Sequence, residues 1–238
     1  MCRHLAYLGP PIALRSLLFD APHALVHQAR TPKYQHAGRD NPDGWGVAWD
    51  TSPVERYRSA LPIWEDTQFK GTERAPAFLA AARYASTGSL PDVRNSAPFV
   101  SGPWAFSLNG YVAGFRDGLG DDLRSQTSEH RVAGIEGDTD SEVLFALVLD
   151  RLDAGASPGE ALVDVTQLVR SRSDGALNLL LSDARHIAAT ALGNSLFVRR
   201  EPSLIVASEP LDDDQGWTEV DNGSLVENDR VSTIGGLP

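Results

Sequence analysis

Met1-Cys2-Arg3-His4-Leu5-Ala6-Tyr7-Leu8-Gly9-Pro10 opens the chain, and Cys2 is the one cysteine among its 238 residues. A methionine aminopeptidase favours a small second side chain, so removal of Met1 would leave a thiol and a free α-amine on one residue. A free thiol titrates near ~8.5 and is mostly protonated at neutral pH. An α-amine titrates near ~7.7–8.0, is partly neutral there, and can take the thiol proton directly or through a water. One residue then supplies both nucleophile and base, as in the N-terminal threonine variant of the catalytic triad. A cysteine at position two can also be an inert residue at a fraying end. The apolar run Leu5 to Leu8, closed by Gly9 and Pro10, favours the first reading. It is expected to be a buried strand that starts at the terminus and holds Cys2 in place.

Composition narrows the class. Hydrophobic content of 42% and charged content of 22% are ordinary for a globular chain able to bury a full core. A net charge of −11 argues against a nucleic-acid or anionic-membrane surface, which needs a basic patch. One cysteine excludes an internal disulfide framework and any multi-thiolate metal site. No apolar stretch approaches the ~18–20 residues that span a bilayer. The N-terminus lacks a basic n-region and a long apolar h-region, and Asp20 interrupts the early run Ile12 to Phe19. The expected compartment is the cytoplasm.

The order of elements predicts strands, then two helices, then strands. Val47–Trp49 and Trp104–Leu108 read as strands, and Asn109-Gly110 after the second reads as a type I′ turn with Tyr111-Val112 returning. From Ser141 the apolar residues Val143, Leu144, Leu147, Val148 and Leu152 recur at helical spacing, with Thr139, Asp140 or Ser141 as the cap. A second helix is expected from Ser157-Pro158, carrying Ala161, Leu162, Val165, Leu168 and Val169 on one face. Strands return at Ala176–Leu181, Ile187–Leu192, Ser195–Val198, Leu204–Ala207 and Leu225-Val226. This order predicts an α+β sandwich with helices outside stacked antiparallel sheets, in one domain over residues 2–238.

Five segments together resemble the class II glutamine amidotransferase domain, an N-terminal nucleophile hydrolase fold. They are Cys2; Asp43-Gly44-Trp45-Gly46; Arg83-Tyr84-Ala85-Ser86-Thr87-Gly88; Asn109-Gly110; and Asp138-Thr139-Asp140-Ser141-Glu142. The resemblance implies a four-layer αββα sandwich, with two stacked, mainly antiparallel sheets flanked by helices. It implies that Cys2 attacks a γ-carboxamide to form a γ-glutamyl thioester, and that the Asn109 amide and the Gly110 N–H stabilise the oxyanion. Donors of this kind are each worth roughly 10²–10³ in rate. It further implies that Arg83 clamps the substrate α-carboxylate, for which a guanidinium fork is apt. Asp140 would take the α-ammonium, while Ser86 and Thr87 line the pocket. Local chemistry leaves other roles open: a surface ion pair for Arg83, a helix cap for Asp140, a strand end for Ser86 and Thr87. No metal or other cofactor is implied.

The match departs from the family pattern in two places. Many members begin Cys-Gly-Ile, where this chain has Cys2-Arg3-His4, and many place His before the oxyanion Asn, where this chain has Leu108. His4 shares a strand face with Cys2, yet a packed or solvated histidine is the plainer reading. Asp212-Asp213-Asp214 reads as a solvated loop rather than a metal site. No residues remain for an ammonia-using synthase domain, which leaves a glutaminase subunit of a larger complex or a free-standing γ-glutamyl amide hydrolase. Further segments resemble free-standing hydrolases of the family and so imply the second: Met1 to Gly9, Asn41-Pro42 running into Asp43-Gly44-Trp45-Gly46, Ser96-Ala97-Pro98-Phe99, and Ala207-Ser208-Glu209-Pro210 running into Asp212-Asp213-Asp214 and Gly216-Trp217. For a zwitterionic leaving group, Trp45, Tyr34 or Trp64 are candidates for a cation, and Arg30, Lys33 or Arg39 for a carboxylate.

Overall fold

The computed structural model describes residues 2–34, 40–85 and 92–236. Two antiparallel sheets are stacked face to face. The first holds seven strands in the order β11 (Thr218–Glu219), β9 (Phe197–Arg199), β10 (Leu204–Ala207), β1 (Arg3–Ala13), β4 (Arg74–Ala82), β2 (Trp45–Trp49) and β3 (Glu55–Ser59). The second holds six: β13 (Arg230–Thr233), β12 (Ser224–Glu227), β8 (Ile187–Ala191), β7 (Gly175–Ser182), β6 (Trp104–Val112) and β5 (Phe99–Ser101).

The outer faces carry the helices. Helix α1 (Leu25–Arg30) and the turn Ser16–Asp20 cover the first sheet, burying Leu14, Leu18 and Leu25 against Trp45, Val47 and Phe78. Two short helices, α2 (Leu119–Ser125) and α3 (Glu129–Ala133), precede the long pair α4 (Asp140–Asp153) and α5 (Pro158–Arg170). This pair packs Val143, Leu147, Leu162 and Val165 onto Phe106, Leu108, Leu177 and Leu179 of the second sheet. The expected α+β sandwich is therefore the observed one. Among the described residues no helix is long and apolar enough to cross a membrane.

Local chemistry explains the helix starts. Thr139 accepts the Glu142 N–H at 3.3 Å, so it is the cap of α4, and Asp140 is the first helical residue. Ser157 and Glu160 form a reciprocal capping box on α5, with Pro158 in the first turn.

Two strands differ from expectation. β1 does not stop at Gly9-Pro10 but continues to Ala13 through a register shift between Leu8 and Ile12. Strand β10 pairs β1 only over Leu5–Leu8, so on that side the prolines leave no ladder bond unmade. Asn109-Gly110 is not a turn. β6 runs through both, with Asn109 opposite Asn178 and Gly110 opposite Leu177. Glycine is needed there for close approach rather than for a reversal: a Cβ on Gly110 would lie 1.8 Å from the Ala176 carbonyl oxygen. The chain turns later, at Gly114, whose φ is +70°.

Candidate active site

Cys2 sits one residue before β1, whose Arg3 pairs with Ala82 at the end of β4. The chain beyond β4 therefore runs alongside Cys2, and its Sγ lies 3.9 Å from the Tyr84 carbonyl oxygen. The Asp43-Gly44 segment fixes that run. Gly44, with φ of +108°, accepts the Arg83 N–H at 2.8 Å, and the Asp43 carboxylate accepts the Ala85 N–H at 2.8 Å. Arg83 is buried and its Nη1 reaches the Asp43 carbonyl at 3.2 Å.

These residues open onto a cavity of about 500 Å³, whose lining includes Cys2, Arg83, Tyr84, Gly110, Tyr111 and Asp140. The far wall is the start of α4 and the loop before it. Asp140 Oδ2 accepts the Val112 N–H at 2.9 Å and Oδ1 accepts the Ser141 N–H at 2.8 Å, which docks the helix start onto the end of β6. Burial pushes the Asp140 carboxyl up, against these hydrogen bonds. Asp138 behaves oppositely. Its burial is outweighed by Arg116 at 3.0 Å and Asn95 at 2.8 Å, which hold its carboxyl below the ordinary range.

Four residues expected at the site, Cys2, Arg83, Gly110 and Asp140, thus line one cavity. Asn109 does not line it. Its side chain is fully buried between the sheets, where Nδ2 donates to Ser208 Oγ at 3.3 Å. Ser208 Oγ also accepts the His4 N–H at 3.0 Å. Ser86 and Thr87 lie outside the described residues, as do Met1 and Arg39. His4 is fully buried, with Nδ1 at 2.9 Å from Ser107 Oγ. Burial, and then the Arg3 charge, lower its pKa to about 3, so the ring is neutral.

The leaving-group candidates fall elsewhere. Trp45 is fully buried and donates Nε1 to Asp66, Trp64 packs against the first sheet's outer core, and Tyr34 stacks edge-on to Phe197 at 5.0 Å. Arg30 and Lys33 do not line the cavity either. Instead Tyr84 and Tyr111 do, and they are 42% and 48% exposed. Sequence reasoning missed both, although each sits inside or beside a quoted motif. Asp212 is tied to Arg199 and Trp217, and Asp213 to His23. Elsewhere among the described residues His130, Asp150 and Asp153 bring ligand-type atoms within 4.8 Å of one another, but Ser128 and Arg131 already engage the two carboxylates.

The fold and this constellation define a class. Residues 14–204 match the model for class II glutamine amidotransferases, and the chain belongs to that family, enzymes that act on amides. Within it, the chain is 34% identical to the γ-glutamyl-hercynylcysteine sulfoxide hydrolase of Mycolicibacterium smegmatis over 234 residues, covering 95% of each protein. It is 36% identical to the protein of the same name from Mycobacterium tuberculosis over 233 residues, covering 95% of this chain and 92% of that one. The fold superposes on a glutamine aminotransferase class-II domain protein from Silicibacter pomeroyi with a TM-score of 0.69, at 24% identity over 98% and 100% of the two chains. It also superposes on half of the glutamine PRPP amidotransferase of B. subtilis, with a TM-score of 0.68 at 18% identity. The family match begins at residue 14, and Cys2, which precedes it, lines the cavity.

Proposed function

We propose that this chain hydrolyses the γ-glutamyl amide bond of γ-glutamyl hercynylcysteine S-oxide, releasing glutamate and hercynylcysteine S-oxide, in ergothioneine biosynthesis in the cytoplasm. One domain over residues 2–238 does this work. The observation that carries the reading is the meeting of Cys2, Arg83, Gly110 and Asp140 around one cavity, in a chain similar over nearly its whole length to hydrolases of that name.

The mechanism uses Cys2 freed of Met1. Its α-amine takes the thiol proton as sulfur bonds to the γ-carbonyl carbon. The Asn109 amide and Gly110 N–H meet the oxyanion. For Asn109 this requires its second N–H or a rotation away from Ser208 Oγ, a bond already long at 3.3 Å. The ammonium then protonates the departing nitrogen as the C–N bond breaks, leaving the thioester. Water attacks that carbonyl, the amine takes a proton from it, and the proton returns to sulfur as glutamate leaves. Arg83 pairs with the α-carboxylate and Asp140 with the α-ammonium. Asp140 would be a carboxylate already partnered by two backbone N–H groups, which fixes the oxygen it offers. The trimethylammonium of the leaving group suits the exposed rings of Tyr84 and Tyr111.

The test compares γ-glutamyl hercynylcysteine S-oxide with glutamine, following glutamate release. The expected kcat/KM ratio favours the hercynyl substrate by roughly 10² or more. Equal or better cleavage of glutamine would replace this reading by a general glutaminase.

A further inference from the structure

We infer that the buried ion pair Arg3–Glu209 is the device that orients Cys2, and that it couples this orientation to the chain at Lys33-Tyr34. The inference rests on Cys2 being the nucleophile. Arg3 follows Cys2 directly and is fully buried, and the Glu209 side chain is 3% exposed. Arg3 Nη1 donates to Glu209 Oε1 at 2.8 Å, while Arg3 Nε donates to the Cys2 carbonyl at 2.8 Å. Glu209 is itself held. Its Oε2 accepts the Lys33 N–H at 3.0 Å and its Oε1 accepts the Tyr34 N–H at 3.2 Å. Gln28 Nε2 grips the Glu209 carbonyl at 3.1 Å.

Stability does not account for this arrangement. A buried ion pair is often no better than an apolar pair of the same volume, because both charges lose their hydration. Here the desolvation is incomplete in its compensation, since Arg3 Nη2 is buried with no partner among the described residues. What the pair supplies is direction. A guanidinium presents its donors in one rigid plane, so a fork anchored on Glu209 fixes where Nε points. That fixes the Cys2–Arg3 peptide plane. With the plane set, little freedom remains for the α-nitrogen and the Cα–Cβ bond of Cys2. A nucleophile displaced by ~1 Å can lose on the order of 10² in rate. Arg3 and Glu209 are thus positioning residues, and a movement of the chain at Lys33-Tyr34 reaches Cys2 through one shared carboxylate.

The experiment uses Arg3→Lys and Glu209→Gln in the full chain. Because the protein has one cysteine, carbonyl-¹³C cysteine labelling gives a single resonance that reports the bond from Arg3 Nε. For Arg3→Lys the expected result is a fall in kcat on the order of 10²-fold with KM little changed. Inactivation by a diazoketone glutamine analogue should slow in parallel, while alkylation by iodoacetamide, which needs no alignment, keeps its rate. The carbonyl resonance should move upfield. Glu209→Gln, isosteric and uncharged, should move each quantity the same way by less, and it decides the matter if Arg3→Lys does not fold. A folded variant with wild-type kcat, or one whose carbonyl resonance has not moved, overturns the inference. A wild-type protein that neither releases glutamate nor takes the diazoketone overturns the reading of Cys2 itself.

Discussion

The space between the two sheets has two ends of opposite character. On four strands, a step of two residues toward Cys2 on the same face exchanges an apolar side chain for a polar one: Ala6 for His4, Ala105 for Ser107 and then Asn109, Leu180 for Asn178, and Val206 for Ser208. Both ends are equally buried. The far end is apolar and closes with Ile187, Ala189 and Val226. The near end holds polar groups at a cost unless each is paired, and His4 Nε2 and Asn109 Oδ1 have no partner among the described residues. Packing alone would favour apolar residues throughout. The polar end breaks that consistency where functional sites characteristically break it.

The largest effect should come at the cavity. Cys2→Ala is expected to abolish amide hydrolysis while leaving the melting temperature close to wild type, because a half-buried residue before a strand contributes little packing. Normal turnover by this variant would remove the nucleophile assignment. Asn109→Ala comes next, with a fall in kcat of roughly 10²–10³. It separates catalysis from packing at the polar end. A loss of only a few-fold, with lowered stability, would mean that Asn109 serves Ser208 and that the oxyanion donors lie elsewhere.

The apolar end should respond in the other currency. Leu180→Ala, at a fully buried position, is expected to cost roughly 3 kcal/mol of stability. Turnover per folded molecule should stay at the wild-type level, measured by denaturant unfolding beside steady-state rates. A fall in kcat in the folded fraction would join the two ends into one functional unit and end the contrast drawn above.

The same contrast explains what was legible in the sequence. The central strands and the long helices announced themselves through apolar spacing, as in Leu5–Leu8, Val143–Leu152 and Ala161–Val169. Edge strands did not. Glu55-Arg56-Tyr57-Arg58-Ser59 and Arg230-Val231-Ser232-Thr233 are strands by pairing and largely polar by composition. Asn109-Gly110 was misread because its local turn preference is strong, while its actual geometry is set by Asn178 and Ala176, more than sixty residues away. That Cys2, Arg83 and Asp140 meet on one cavity agrees with the short motif in which each lies. The Arg3–Glu209 pair joins residues 206 positions apart, and no local spacing links the two charges. Trp45 looked available for a ligand and is instead packed against Phe19, Tyr57 and Phe69.

The smallest predicted effect concerns the proton that His4 does not carry. An ordinary histidine titrates near 6.5, and burial with Arg3 alongside lowers His4 to about 3. Between those values the unfolded chain binds a proton there and the folded one does not, so stability falls as pH drops below about 6.5. Asp140 and Glu142, both pushed up by burial, act in the opposite sense at lower pH, because the folded state then holds protons more tightly. The His4 contribution is therefore isolated as the difference between wild type and His4→Gln. Moving from pH 7 to pH 5 should cost wild type on the order of 2 kcal/mol more than the variant in denaturant unfolding. Equal losses in the two proteins would show that His4 takes up its proton in the folded state. That would require solvent or a counter-charge to reach its unpartnered Nε2, and the polar end would then be an extension of the cavity rather than a buried layer beneath it.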